Sequence, residues 1–284
     1  MDHLDLLCLQ EHWLHAFEVP TIPALLGEKY LFAVKCHDDD SPISPLLRPR
    51  GSGGVMIIWR TEIDNMVTPL DDGTARNIVV RLSTSQSSAT ILNSYMPTVG
   101  TPEYYQQMLD EVNEIMEKYM PDGPFVWCGD LNASLNREPP SSNDKLFRQF
   151  YTGTRLKQTA ENPSTPTYYH FTGGITSTID HILATENDWP ATITSCTLSR
   201  QPVNLSSHDP VVTKIAIQVS DTMNQPPVYE DTTARRKPRW DQIDTTAYKR
   251  LTEERLACLF DCNGLGLPNE VLLKELMTFS LTAL

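Results

Sequence analysis

Glu11, the pairs Asn93/Tyr95, Asp130/Asn132 and Asp180/His181, and the doublet His208-Asp209 each fall at or near the end of an apolar run. Together they supply carboxylates, imidazoles, amides and a phenol, the inventory of metal-assisted phosphodiester hydrolysis. A hard cation such as Mg²⁺ prefers carboxylate oxygens and keeps several waters, so one or two acidic ligands suffice. The cation stabilises phosphate charge, a base activates water, and neutral or cationic donors hold the phosphate oxygens. Taken singly, each residue is more often a structural one: Asn93 and Asn132 as turn or cap formers, Tyr95 as a half-buried sheet residue. Their joint recurrence at strand ends, where sandwich and α/β scaffolds gather functional groups, is what suggests a site.

The elements that would position these residues follow from patterning. LDLLCLQ reads as a buried strand ending at Gln10-Glu11, and GGVMIIWR (53–60), RNIVVRLS (76–83) and ATILNSYMP (89–97) read as further strands. Thr101-Pro102 opens a helix on which Tyr105, Leu109, Val112, Ile115, Met116 and Tyr119 recur at helical spacing. FVWCGDLNAS (125–134), STIDHILAT (177–185) and HDPVVTKIAIQV (208–219) then read as strands, giving the order strands, one helix, strands. Residues 37–52 form a long loop rich in Pro, Ser and Asp, and Gly53-Gly54 is a turn leading into a strand rather than a phosphate cradle, because no helix follows it.

With 284 residues the chain can form one large α/β domain and a tail. No window reaches the roughly 20 apolar residues that span a bilayer, and the acidic N-terminus lacks the pattern of a signal peptide. An intracellular protein, nuclear or cytoplasmic, without a membrane partner is expected. The scattered cysteines read as reduced thiols, mostly small core residues. A net charge of −13 sits awkwardly with a nucleic-acid partner, whose phosphates call for a basic footprint. Part of that acidity would be offset by a bound cation. Beyond Ser220 the composition turns to Pro, Thr and charged residues, which separates a domain over 1–220 from a linker over 221–247 and a helical tail over 248–284. RRKPRW (235–240) reads equally as a DNA-backbone contact or as a solvated linker.

LQEHWL (9–14), GGVMI (53–57), NSYMP (93–97), GDLNAS (129–134), STIDHI (177–182) and SSHDPV (206–211) resemble, in this order, the successive motifs of the endonuclease/exonuclease/phosphatase superfamily. The QEHWL form and the KPRWDQIDTTAYKRL stretch (237–251) are most similar to the apurinic-type endonuclease of non-LTR retrotransposons and the connector to their reverse transcriptase. A lone GDLN is a weak signal, whereas these motifs in register are a strong one. The resemblance implies a four-layer α/β sandwich, two mixed sheets flanked by helices. It implies Mg²⁺- or Mn²⁺-dependent nicking of DNA that leaves a 3′-hydroxyl, with no small-molecule cofactor and a reverse transcriptase domain in a full-length parent. It implies that Glu11 binds the metal, Asp130 orients or deprotonates water, Asn132 holds phosphate and Asp130, Tyr95 is a phosphate-side donor, and His208 stabilises the scissile phosphate. Asp180 is a further carboxylate at the metal or the phosphate, and Asp209 is counted with Glu11 and Asp180 among the candidate metal ligands. The family pattern gives His12 and His181 no catalytic role, so packing is expected of both.

Two departures from the pattern carry expectations. Met1 stands just ahead of the QEHWL strand, which implies a truncated chain whose first strand, helix and metal-site asparagine are missing. Ser207 stands where the family places an aspartate beside the histidine, so His208 is expected to lack its orienting carboxylate. The rival readings are a phosphomonoesterase or lipid phosphodiesterase of the same fold, and an inactive or vestigial nucleic-acid-binding fragment.

Overall fold

The computed structural model describes residues 4–217 apart from 40–41, 45, 47–49, 86, 99, 171–172, 187, 189–192, 199–203 and 205. The linker and tail expected over 221–284 lie outside the described residues. In chain order the elements are β1 (Leu6–Gln10), α1 (Ile22–Leu26), β2 (Tyr30–Lys35), β3 (Val55–Arg60), β4 (Val67–Leu70), β5 (Asn77–Ser83), β6 (Ser88–Tyr95) and α2 (Pro102–Tyr119). They continue with β7 (Phe125–Asp130), α3 (Ser142–Gly153), β8 (Leu156–Gln158), β9 (Tyr168–Tyr169), β10 (Thr176–Ser177), β11 (Asp180–Thr185), β12 (Ser195–Thr197) and β13 (Val211–Thr213).

Two sheets carry the architecture, one ordered β1-β3-β2 and one ordered β4-β5-β6-β7-β11-β8. Alternation of side chains along each strand divides their residues among three apolar layers. Val55, Ile57 and Trp59 of β3 pack against Ile78, Val80, Ile91, Val126 and Ala184 between the sheets. Met56 and Ile58 turn the other way, with Leu7 and Leu9, onto Ile22 of α1. On the outer face of the larger sheet, Leu92, Phe125, Trp127 and Leu183 pack against the buried stripe of α2 and against Phe147 of α3. The result is helix, sheet, sheet, helix: the expected four-layer α/β sandwich. In the larger sheet β6 and β7 run parallel while β11 runs antiparallel to β7, so the C-terminal ends of β6 and β7 meet the N-terminal start of β11.

Helix α2 forms as its spacing predicts, with Thr101 capping it by accepting from the Tyr104 amide and the six anticipated residues buried. The expectation of a single helix is corrected by α3. Its start is a reciprocal cap in which Ser141 Oγ accepts from the Asp144 amide at 3.1 Å and the Asp144 carboxylate accepts from the Ser141 amide at 2.7 Å. Strand β2 escaped the reading too, because its exposures mix along its length instead of alternating cleanly. The segment after His208 forms only the short β13, far less than the strand its apolar alternation suggested. The four described cysteines are free thiols, and Cys196 is exposed rather than a core residue.

One buried polar side chain ties the sheets together. Asn93 of β6, fully buried, donates from Nδ2 to the carbonyls of Leu9 at 2.9 Å and Met56 at 3.1 Å, while its Oδ1 accepts from Gln10 Nε2 at 2.5 Å. The asparagine therefore neither caps nor turns the chain; it fixes β1 and β3 against β6. Asn93→Ala would leave these groups unpaired in a buried layer. We expect it to lower stability by roughly 3 kcal/mol, since each unsatisfied buried group costs about 1–3 kcal/mol. Urea unfolding should show a lower midpoint at unchanged slope, with the exposed Gln107→Ala as a control near wild type.

Candidate active site

The inner face of the larger sheet changes from apolar to polar towards one end. Tyr95 is the register partner of Asp130, and Asp130 that of Asp180, so three adjacent strands present a phenol and two carboxylates side by side. The sequence places these residues far apart, and the parallel and antiparallel pairings of β7 bring them together. Asp130 and Asp180 are only 6% and 8% exposed.

Glu11 reaches the same place from the smaller sheet. Its amide donates to the Gly54 carbonyl at 2.9 Å and that of Trp13 to the Gly53 carbonyl at 3.0 Å, which brings the segment after β1 onto the turn before β3. Gly54 permits the approach: at φ +85, an added Cβ would lie 2.3 Å from His12 Nε2. The Glu11 carboxylate then accepts a hydrogen bond from the Tyr95 hydroxyl, linking the two sheets through their polar ends. Among the described non-glycine residues, positive φ occurs at Glu11, Trp13 and Asn132, all at this end of the sandwich. Such strain, of order 1–3 kcal/mol per residue, persists where surrounding contacts over-determine the backbone. At Asn132 the contacts are its amide to Asp130 Oδ1 at 3.0 Å and its Nδ2 to the Met96 carbonyl at 2.8 Å.

His208 comes from the loop before β13. Its Nδ1 lies 3.0 and 2.9 Å from the two oxygens of Asp180, its backbone bridges to Tyr168, and its ring meets the Tyr168 ring edge-on at 5.0 Å between centroids. The expected loss of an orienting carboxylate is thereby corrected: Asp180, on β11, orients the imidazole while Ser207 only accepts the Tyr169 amide at its carbonyl. Asp209 is buried, with its amide on the Thr167 carbonyl at 2.7 Å and its Oδ1 accepting from Asn204 Nδ2 at 3.2 Å. His181 points to the helical side of the sheet, where its ring packs 5.3 Å from Phe147 and Nε2 meets the Ala133 carbonyl. His12 bonds the Lys35 carbonyl and accepts from the Leu14 amide.

Burial and mutual charge set the protonation of the group. Burial first, then the charge of Asp180, raise the Asp130 pKa to about 8, against His208 and the Asn132 amide. Burial disfavours the imidazolium of His208, but the charge and hydrogen bond of Asp180, with Asp130 and Glu11, outweigh it and raise the pKa to about 9. Burial also raises Glu11, opposed by His208 and Arg76. Three carboxyl groups thus converge on few cations, and a buried carboxyl that cannot ionise at neutral pH is what such crowding produces without added positive charge. Ligand atoms of Asp130, Asp180 and His208 lie within 4.8 Å of one another. Because His208 Nδ1 is already committed to Asp180, the carboxylates are the better donors, and an all-oxygen set fits a hard divalent cation.

Arg76 went unnoticed in the sequence because it follows no spacing: it sits in a turn just ahead of β5. It donates from Nη1 to the Tyr95 carbonyl at 3.1 Å and from Nε to the Tyr104 hydroxyl at 3.1 Å, and its guanidinium lies 5.0 Å from the centre of the Tyr95 ring.

In metal-free protein, NMR titration of His208 should give a midpoint near 9, and Asp180→Asn should move it down towards or below about 6.5. The raised pKa stabilises the fold fully below about 6.5 and ceases to do so as pH rises through about 9. The stability advantage of wild type over Asp180→Asn should therefore shrink across that window; a pH-independent difference would show that the pair is not charged.

No curated protein matches the chain. Among solved structures, it is similar to a functionally unknown conserved protein from Enterococcus faecalis V583, at 14% identity and TM-score 0.52 over 76% of this chain and 87% of that one. It is also similar to the endonuclease domain of TRAS1, a telomere-specific non-LTR retrotransposon, at 18% identity and TM-score 0.50 over 66% of this chain and 79% of that one. At such identities the likeness is one of fold. A family profile described as endonuclease/exonuclease/phosphatase matches residues 1–221, and with most of its length so matched the chain belongs to the endonuclease/exonuclease/phosphatase family.

Proposed function

We propose that this protein is a Mg²⁺- or Mn²⁺-dependent DNA endonuclease of retrotransposon type, nicking one strand to leave a 3′-hydroxyl usable as a primer. The observation that carries the reading is the convergence, from both sheets, of Glu11 with Tyr95, Asp130 with Asn132, and the Asp180–His208 pair. Membership of the family supports metal-dependent phosphodiester hydrolysis. The QEHWL motif, the connector-like 237–251 stretch and the likeness to the TRAS1 endonuclease domain support the narrower assignment, in which a longer parent chain carries a reverse transcriptase.

Glu11 and Asp180 would hold the cation, with Asp130 beside them and Asp209 a more distant candidate. When bound, the cation would supply charge stabilisation to the phosphate and lower the cost of ionising the buried carboxylates. Asp130, its pKa raised to about 8 without added charge, would be ionised by the cation's field and so be suited to take a proton from water. The water oxygen forms the new P–O bond, the P–O3′ bond breaks, and the departing 3′-oxygen takes up a proton. Asn132 holds Asp130 through its amide, and the imidazolium of His208, kept charged by Asp180, faces the phosphate as a cationic donor. Tyr95 positions Glu11 through its hydroxyl, and would turn that donor to the phosphate once the cation takes Glu11.

The full chain should nick supercoiled plasmid with Mg²⁺ or Mn²⁺ and stop on addition of EDTA. Glu11→Ala, Asp130→Ala and His208→Ala should each lower the rate at least about 100-fold, the usual weight of one acid–base or electrostatic group. Undiminished nicking by Asp130→Ala would overturn the assignment. Turnover of phosphomonoesters or phospholipid diesters in place of plasmid would keep the family chemistry but replace the substrate.

A further inference from the structure

A recess opens beside Glu11 and Tyr95. It encloses about 400 Å³, within the roughly 300–1,000 Å³ usual for small-molecule sites, and its wall includes Trp13, Arg50, Gly53 and Arg76 as well as those two residues. Two guanidiniums in it are each paired with an aromatic face. Arg50 lies 4.6 Å from the centre of the Trp13 ring, and Arg76 lies 5.0 Å from that of Tyr95 and 5.7 Å from that of Tyr104. Among the described residues of the wall, the only carboxylate is that of Glu11, which accepts from the Tyr95 hydroxyl. On a chain of net charge −13, this is a local reversal of sign.

The recess is also built rather than incidental. Trp13 holds a positive φ of 58°, with its amide on the Gly53 carbonyl at 3.0 Å. The loop carrying Arg50 presses so closely on Trp13 that a Cβ at Gly51 would lie 1.7 Å from the Trp13 carbonyl oxygen. Arg76 is anchored by its bonds to Tyr95 and Tyr104. Guanidinium planes laid on aromatic rings suit a ligand that is planar at one end and anionic at the other: a base stacks on the layered pair without regard to its identity, and the cations take a phosphate.

We propose that this recess holds the nucleotide of the DNA strand next to the scissile phosphate, its base stacked on the layered Trp13–Arg50 pair and its phosphate within reach of Arg50 and Arg76. The assignment rests on the phosphodiesterase reading, since it gives the substrate a second point of attachment one wall away from the reacting centre.

The test is binding without cleavage. The full chain, in EDTA, is titrated with fluorescein-labelled single-stranded oligothymidylate, read by anisotropy at several salt concentrations. Trp13→Ala should weaken binding about 10-fold, the usual weight of one stacked base, and Trp13→Phe should restore most of it. Arg50→Gln, at an exposed position, should reduce the slope of log K against log salt by about 0.7, the share of one phosphate contact on a single strand. Unchanged affinity in Trp13→Ala together with an unchanged slope in Arg50→Gln would overturn the recess as a nucleotide site, as would failure of the wild type to bind. Hydrolysis of bis(4-nitrophenyl) phosphate with Mn²⁺ is measured in parallel on the wild type. Oligonucleotide binding that depends on Trp13 and Arg50 in a protein that hydrolyses neither this diester nor plasmid supports the recess and sinks the catalytic reading. Hydrolysis without such binding does the reverse.

Discussion

The buried amide of Asn93 is the constraint on which the site depends. Two sheets packed face to face through aliphatic side chains can slide over one another at little cost, because dispersion contacts are non-directional. Asn93 removes that freedom by pairing with Leu9 and Met56 carbonyls and with Gln10, all on the opposite sheet. Glu11 follows Gln10 directly, and Tyr95 lies two residues beyond Asn93 on the same face of β6, so the registration of one amide pair sets the meeting of the next. Asp130 and Asp180 are then placed by the ladders that join β7 to β6 and β11.

Burying several carboxyl groups at one end of an apolar layer is expensive, and the structure meets the cost unevenly. Asp180 finds a charged imidazole, Glu11 a phenol, and Asp130 only the Asn132 amide and the more distant field of His208. Asp130 is therefore the group whose protonation answers most readily to added charge, which is the property a base beside a cation needs. The strained residues Glu11, Trp13 and Asn132 belong to the same economy: the sheets are regular and satisfied, and departures from low-energy backbone gather where side chains must be aimed.

The acidity of the chain and the proposed nucleic-acid substrate would be compatible because the two act at different ranges. Over distances beyond about 10 Å, salt screens the net charge, whereas guanidiniums held within a recess meet a phosphate directly. Arg50 and Arg76 are stacked on aromatic rings that hold them in place, so their charge is presented locally instead of being spread over a basic surface.

Much of this was legible in the amino-acid order. Apolar runs marked β1, β3, β5, β6, β7 and β11, the spacing from Tyr105 to Tyr119 marked the buried stripe of α2, and polar residues at strand ends marked Glu11, Asp130 and Asp180, because burial is imposed residue by residue and leaves a local pattern. The fold class came from the resemblance of the motif series to a known family. The order could not say which strand end meets which. That Asp180 rather than a neighbour of His208 orients the imidazole, that Asn93 joins sheets rather than turning a loop, and that Arg76 and Arg50 share one recess are outcomes of strand register and sheet stacking. Those relations join residues such as Gln10 and Asn93, 83 positions apart, and no period in the sequence records them. They exist only once the backbone ladders have closed and the two sheets have locked together.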